Sequence, residues 1–294
     1  SLLPASQPLA PFAMSDHFRS FTFVDRILED QPGSEIRGEF TVPESVEEFT
    51  YTHVAEAVGQ IAGWSAMAAL DFTVRPVAGL AGHIDLIAPV TPGETLELSA
   101  TVNRVDEEAV AYRGEARVDG KPVLRLKHCV GPALPMVEFD DPAAVRDRYE
   151  LMCAGRAETG NYPGVPAGYG PMVVDDSLDF ATSSLTVPED TTFLRDHFPR
   201  KPVFPGTLLM NEKLRLATVL YEARGGKGRI VLVTNVKFRA FMLPGETLSL
   251  RAECQQQEGD VATYRVESRN GDREVSSSRV RFDREPSLPE DSHD

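Results

Sequence analysis

Apolar residues occupy every side of a helical wheel drawn for "THVAEAVGQIAGWSAMAAL" (residues 52–70), which leaves almost no polar face. Such a segment predicts a helix enclosed by other structure rather than one lying on a surface, with Thr52 as its N-cap. After it the period changes. "HIDLIAPV", "ETLELSATVNRV", "AVAYRGEARV" and "PVLRLKHCV" alternate apolar and polar positions and predict half-buried strands. The same order returns later, as a helical run "TLLMNEKLRLATVLYEAR" followed by "RIVLVTNVKFRAFM", "ETLSLRAEC", "ATYRVESRN" and "EVSSSRVRF". "PGE", "VDG" and "NGD" punctuate these runs and predict antiparallel hairpins.

The repetition extends to words. "TVPE" occurs at 41–44 and 186–189, and "PGETL" at 92–96 and 244–248, at similar offsets of 145 and 152 residues. One duplicated unit accounts for both. Between the copies, "DDPAAVRDRYELMCAG" predicts a short helix capped by Asp141 with Pro142 at its first position, and "GNYPGVPAGYGP" an extended loop. The reading is a first unit over 15–139, a linker over 140–171, a second unit over 172–283 and a disordered acidic tail over 284–294.

Composition narrows the classes of function. A formal net charge of −15 and a sequence pI near 4.9 argue against general binding to nucleic acid or anionic membrane. Cys129, Cys153 and Cys254 are odd in number and widely spaced, so they form neither a disulfide framework nor a metal-ligand pattern; the reducing cytoplasm is the simplest setting. No apolar run is long enough for a membrane span. The opening "SLLPASQPLAPFAM" lacks a cationic region and is not expected to be a secretory signal; Met14 is compatible with either a native start or an internal methionine. No nucleotide-binding glycine loop, metal constellation or serine nucleophile elbow is found, and no cofactor is expected.

The candidate chemistry lies in "HFPRKPVFPG", His197 to Gly206. Prolines at 199, 202 and 205 hold the segment extended. Gly206 allows a ligand to approach the backbone where the next helix begins, and a helix start offers unpaired N–H groups and a positive dipole end. The stretch reads as a rigid strap that holds an imidazole beside an oxyanion-binding helix terminus.

This strap resembles the H-F-P-x-x-P-V-x-P-G motif of the bacterial Z-type β-hydroxyacyl-acyl carrier protein dehydratases. "FTFVDRILEDQPG", "VKFRAFMLPGETL" and, less closely, "HIDLIAPVTPGETL" are also similar to that family, so the resemblance covers residues 18–130 and 172–282. It implies an α+β fold, a tandem double hotdog, in which each half is a central buried helix wrapped by an antiparallel sheet.

In that family a carboxylate follows the histidine by 14 positions within E-A-x-x-Q. Here that position is Asn211, which cannot exchange a proton as a carboxylic acid does. Glu212 is its neighbour, but one helical step turns it elsewhere. The first half departs in the opposite way: "EAVGQ" supplies Glu56 and Gln60 at i and i+4, yet the strap is missing. Pro43 precedes Glu56 by 13 residues, whereas Pro188 precedes Asn211 by 23, a difference equal to the length of the strap. The defects are complementary. One composite site is expected, with His197 and Gly206 facing Glu56, and a decayed, inert counterpart at Asn211.

The resemblance implies dehydration of a (3R)-hydroxyacyl thioester to a trans-2-enoyl thioester. His197 would take the C2 proton, the Gly206 N–H would polarise the thioester carbonyl, Glu56 would assist departure of the C3 hydroxyl, and Gln60 would support it. The implied substrate is an acyl carrier protein or CoA thioester. Arg195, Arg200 and Lys201 flank the strap as carrier-docking candidates, with Lys213 and Arg215 one turn beyond. Other expectations are structural: Gly59 and Gly63 for close packing of the central helices, Trp64, Met67 and Met210 for core, and His53 as a surface histidine at a helix end. His17, His83, His128 and His293 carry no motif. The competing readings are a hotdog thioesterase and a non-catalytic acyl-chain-binding subunit. Isomerase activity is less expected, because the carboxylate is Glu where isomerising relatives have Asp. Whether tandem units associate further into a homo-oligomer stays open.

Overall fold

A computed structural model describes residues 17–159, 162, 169–189, 194 and 196–284. Arg195, His293, Met14, most of the 160–171 loop and the tail from residue 285 lie outside the described residues.

The first half opens with a hairpin, β1 (Arg26–Gln31) and β2 (Glu35–Thr41), turned at Gly33 with φ +77°. Next come the helix α1 (Tyr51–Ala69), a short strand β3 (Val74–Pro76) and β4 (Leu80–Leu86). Three long strands follow, β5 (Thr95–Val105), β6 (Ala109–Val118) and β7 (Lys121–Pro135). β6 and β7 meet at Asp119-Gly120, both with positive φ, the two-residue turn whose twist matches antiparallel strands. α2 (Pro142–Cys153) follows, and the Asp141 carboxylate does cap it, accepting from the Ala143 N–H.

The second half repeats the plan with β8 (Val173–Val174), β9 (Phe180–Thr186), α3 (Gly206–Ala223), β10 (Arg229–Phe238), β11 (Thr247–Glu258), β12 (Val261–Asn270) and β13 (Arg273–Asp283). All pairing is antiparallel, in the order β1-β2-β5-β6-β7-β4-β10-β13-β12-β11-β9-β8, with β3 on β7. The order is palindromic about the β4–β10 junction, where Ile84 faces Val233 and Ala81 faces Val236. Each half would otherwise end there in an exposed edge; the junction pairs both edges. Arg229 reinforces it by donating to the Leu86 and Ile87 carbonyls at 2.9 and 2.7 Å.

α1 packs inside β2, β5, β6 and β7, and α3 inside β9, β11 and β12; the two helices also touch each other. This is the α+β double hotdog expected from the sequence. α1 starts two residues earlier than expected, with Thr50 as cap, because the His53 side chain folds back onto the Thr50 hydroxyl and N–H. Twelve α1 residues are buried, and the rest of its length is informative. Glu56, Gly59, Gln60 and Gly63, at i, i+3, i+4 and i+7, form a partly buried stripe that faces the same way.

Candidate active site

That stripe lines a cavity of about 210 Å³ that the second half closes with His197, Gly206, Thr207 and Met210. Glu56 therefore shares one cavity with His197, although 141 residues separate them. The Thr207 hydroxyl, in the first turn of α3, donates to Glu56 Oε2 at 2.8 Å, and Gln60 Nε2 donates to Oε1 at 3.0 Å. Gln60 is itself fixed, because its Oε1 accepts from the Phe23 N–H and its Nε2 also reaches the Phe21 carbonyl. The carboxylate is thus oriented by one group from each half.

His197 Nδ1 lies 3.2 Å from the Val203 carbonyl, within the strap itself. A proton on Nδ1 makes that bond, which leaves Nε2 as the basic nitrogen. The ring stacks on Phe198 and meets the edge of Phe21 at centroid distances of 4.2 and 5.2 Å. Burial holds the imidazole below its ordinary range; the charge of Glu56 and the Val203 carbonyl oppose this, and the Arg75 charge adds to it. A neutral histidine follows, which is the form a base needs.

α3 begins at Gly206, behind Pro205, with no side chain capping it. Gly206 and Thr207 of its first turn line the cavity, so the positive end of the helix dipole lies at the cavity wall. The absence of a side chain at Gly206 serves a different purpose from the one expected. A Cβ there would come within 2.8–3.1 Å of the Phe238 ring, so Phe238 occupies the space the glycine leaves.

Asn211 sits at the position of α3 equivalent to Glu56 in α1, the sixth residue after the cap. It is buried and does not line the cavity. Glu212 does face elsewhere, paired with Arg215 at 3.0 Å. His53 is not a surface residue: only 1% exposed, it bonds the Tyr162 hydroxyl at 2.6 Å, and burial lowers its pKa to about 4. Gly63 is not a helix-packing glycine, since a Cβ there meets nothing within 4 Å and opens onto the cavity; Gly59 faces the Tyr112 hydroxyl. Trp64, Met67 and Met210 are core and lining at once.

The basic rim shrinks. Lys213 is wholly buried against Ser276, because α3 turns it into the sheet, and Arg215 is held by Glu212. Arg200 is exposed and donates to the Val137 carbonyl, while Lys201 lies over Phe139 and Phe241.

Sequence reasoning missed the residue beside the histidine. The buried Asp196 carboxylate accepts from the N–H groups of Phe18, Ser20 and Phe21, from the Thr22 hydroxyl and from His17. His17 also bonds Asp140 at 2.9 Å. Burial alone would lower the His17 pKa; its bonds to Asp140 and Asp196 prevail and raise it to about 9. The signals were local: Asp196 directly precedes the strap, and Thr207 directly follows it.

Among the described residues no helix is long and apolar enough to cross a membrane, and no group of three His, Cys, Asp or Glu residues could hold a metal ion.

Comparison with known proteins agrees with the architecture. The ApeI-like family model, described as ApeI dehydratase, matches residues 174–279. The 3-hydroxyacyl-acyl-carrier-protein dehydratase FabZ of Lactococcus lactis subsp. cremoris (strain MG1363) is 31% identical over 112 residues, covering 35% of this chain and 78% of that protein. The FabZ of Rhizorhabdus wittichii is 31% identical over 137 residues, covering 45% of this chain and 78% of its own. This chain belongs to the hotdog-fold (3R)-hydroxyacyl-acyl carrier protein dehydratase-like family. Two solved structures share the fold over both halves. A 12:0-ACP thioesterase from Umbellularia californica has a TM-score of 0.52 at 11% identity, covering 85% of this chain and 94% of that one. An acyl-ACP thioesterase from Bacteroides thetaiotaomicron has a TM-score of 0.52 at 16% identity, covering 85% and 98%.

The His17 network makes stability depend on pH. Its contribution is complete below the ordinary imidazole pKa of 6.5 and is lost as pH rises through about 9. Buried Lys213, lowered to about 7, acts in the opposite sense over that range, so the effect appears as a difference. The stability gap between wild type and His17→Asn, on the order of 3 kcal/mol near pH 6, narrows as pH is raised toward 9 in urea unfolding. A gap independent of pH would show that folding does not raise the His17 pKa.

Proposed function

We propose that this chain is a hydro-lyase that dehydrates (3R)-3-hydroxyacyl thioesters, carried by acyl carrier protein, to trans-2-enoyl thioesters at one composite site. The observation that carries the reading is the convergence of His197 and the Thr207 turn of the second half on Glu56 of the first, around a single cavity. His197 Nε2 takes the C2 proton while the N–H groups at the start of α3 accept charge developing on the thioester oxygen. The C3–O bond breaks, and the oxygen leaves as water with the C2 proton, relayed from His197 through the Glu56 carboxylate, so both groups end as they began. Gln60 and Thr207 hold the carboxylate at the working angle. The domain division belongs to the same reading: the unit over 15–139 supplies the carboxylate, the linker over 140–171 connects, and the unit over 172–283 supplies the strap.

Turnover of 3-hydroxyacyl thioesters by His197→Ala and Glu56→Gln should fall by about 10²-fold or more, with Asn211→Ala within about threefold of wild type. Thioester hydrolysis without dehydration by the wild type would assign the cavity to a thioesterase instead.

Gly63→Leu projects into the cavity. It should lower kcat/KM for long acyl chains by about tenfold or more and spare short ones; a uniform loss would place the chain elsewhere.

Arg200 and Lys201 remain the docking candidates for an acidic carrier, together with Arg195, which lies outside the described residues. Arg200→Glu with Lys201→Glu should reduce carrier-linked turnover more than turnover of a pantetheine mimic. Equal losses on both substrates would remove docking from their role.

A further inference from the structure

One charged side chain lining the cavity has no part in the chemistry above. Arg75, on β3, places its guanidinium 4.6 Å from the centre of the Phe198 ring, next to His197, and Nη1 reaches Met67 Sδ at 3.9 Å. Among the described residues it has no other hydrogen-bond partner and no carboxylate within ion-pairing distance. Its five N–H donors are therefore almost unused in a partly buried position surrounded by apolar walls, an arrangement that is costly unless something pairs with it. The nearby acids are already engaged. Asp196 accepts from His17, Thr22 and three backbone N–H groups, Asp140 from His17 and the Asp141 N–H, and Glu56 from Thr207 and Gln60. A plain alkyl chain laid against this guanidinium would remove its remaining water and supply no acceptor.

We propose that Arg75 is a specificity determinant that binds an anionic oxygen of the substrate. The planar fork suits a carboxylate or a phosphate. Two parts of the substrate offer that chemistry: a carboxylate borne by the acyl chain, or the phosphate of the carrier's pantetheine arm. Gly63 and Met67 extend the cavity along α1 beyond Glu56, and Met67 touches Arg75, which places the guanidinium beside the space an acyl chain would fill. The proposal rests on the reading of the cavity as an acyl-thioester site, but its test needs no catalysis.

Calorimetric binding of unreactive pantetheine amides, in which nitrogen replaces the thioester sulfur, separates the sources. Glutaryl-pantetheine amide carries a carboxylate, valeryl-pantetheine amide carries none, and valeryl-phosphopantetheine amide carries only the phosphate. Each is measured with wild type, Arg75→Met and Arg75→Lys. A wild-type preference of about tenfold or more for the glutaryl over the valeryl compound, abolished in Arg75→Met and partly kept in Arg75→Lys, assigns the guanidinium to an acyl carboxylate. The same dependence for the phosphorylated compound assigns it to the arm. Affinities that track neither anion, or that fall alike in Arg75→Met alongside a lower melting temperature, overturn the proposal and leave Arg75 as packing on Phe198. Binding with this pattern and no dehydration would sink the proposed reaction and keep the anion site.

Discussion

The buried carboxylate of Asp196 holds the two halves in the relation everything else requires. A carboxylate taken out of water is costly unless its lone pairs are filled. Here three backbone N–H groups, a hydroxyl and the His17 imidazole fill them, all from the opening segment of the first half. Asp196 is the residue before His197. The interaction that draws the N-terminal turn across to the second half therefore also fixes where the imidazole can stand. Phe21, in the same turn, meets the edge of that imidazole, and its carbonyl accepts from Gln60. One buried charge thus reaches both the His197 imidazole and, through Gln60, the Glu56 carboxylate.

The strand order of the sheet is pseudo-symmetric, apart from β3, and the asymmetry of the site is built on top of it. Both helices occupy equivalent places, and the residues six positions past their caps are Glu56 and Asn211. The second half has the strap, whose Val203 carbonyl anchors His197. The first half lacks it, and the corresponding region is filled with aromatic side chains: Phe23, Phe49, His53 and Tyr162 pack against one another, with the His53–Tyr162 bond at their centre. Tyr162 follows α2 in the chain, so a residue from beyond the first half's strands joins this cluster.

The interior of the second half carries an unusual load. Lys213 enters the sheet interior and meets Ser276, which in turn meets Ser268. The matching strands of the first half present leucines and valines instead, such as Val123, Leu124 and Leu126. Burial lowers the Lys213 amine to about 7, so much of its desolvation cost is avoided near neutral pH by giving up the proton.

Local physics by itself determined a good deal here. Period and punctuation marked where the long strands lie, to the residue at "AVAYRGEARV", because alternation and turn chemistry act over neighbours, while the far ends of β7 and β11 run five and four residues past the expected runs. The apolar circumference of α1 announced a buried helix and Asp141-Pro142 announced the start of α2, whereas the pairing of Glu56 with His197 was expected only through the family resemblance. Tertiary closure decided the rest. Whether Lys213 or His53 meets water depends on which strand or linker residue covers it. Whether Gly63 packs a helix or opens a cavity depends on how far apart α1 and α3 settle. The bonds from Thr207 to Glu56 and from His17 to Asp196 join residues 151 and 179 positions apart. No spacing rule spans such distances, because only the folded sheet brings those groups into contact.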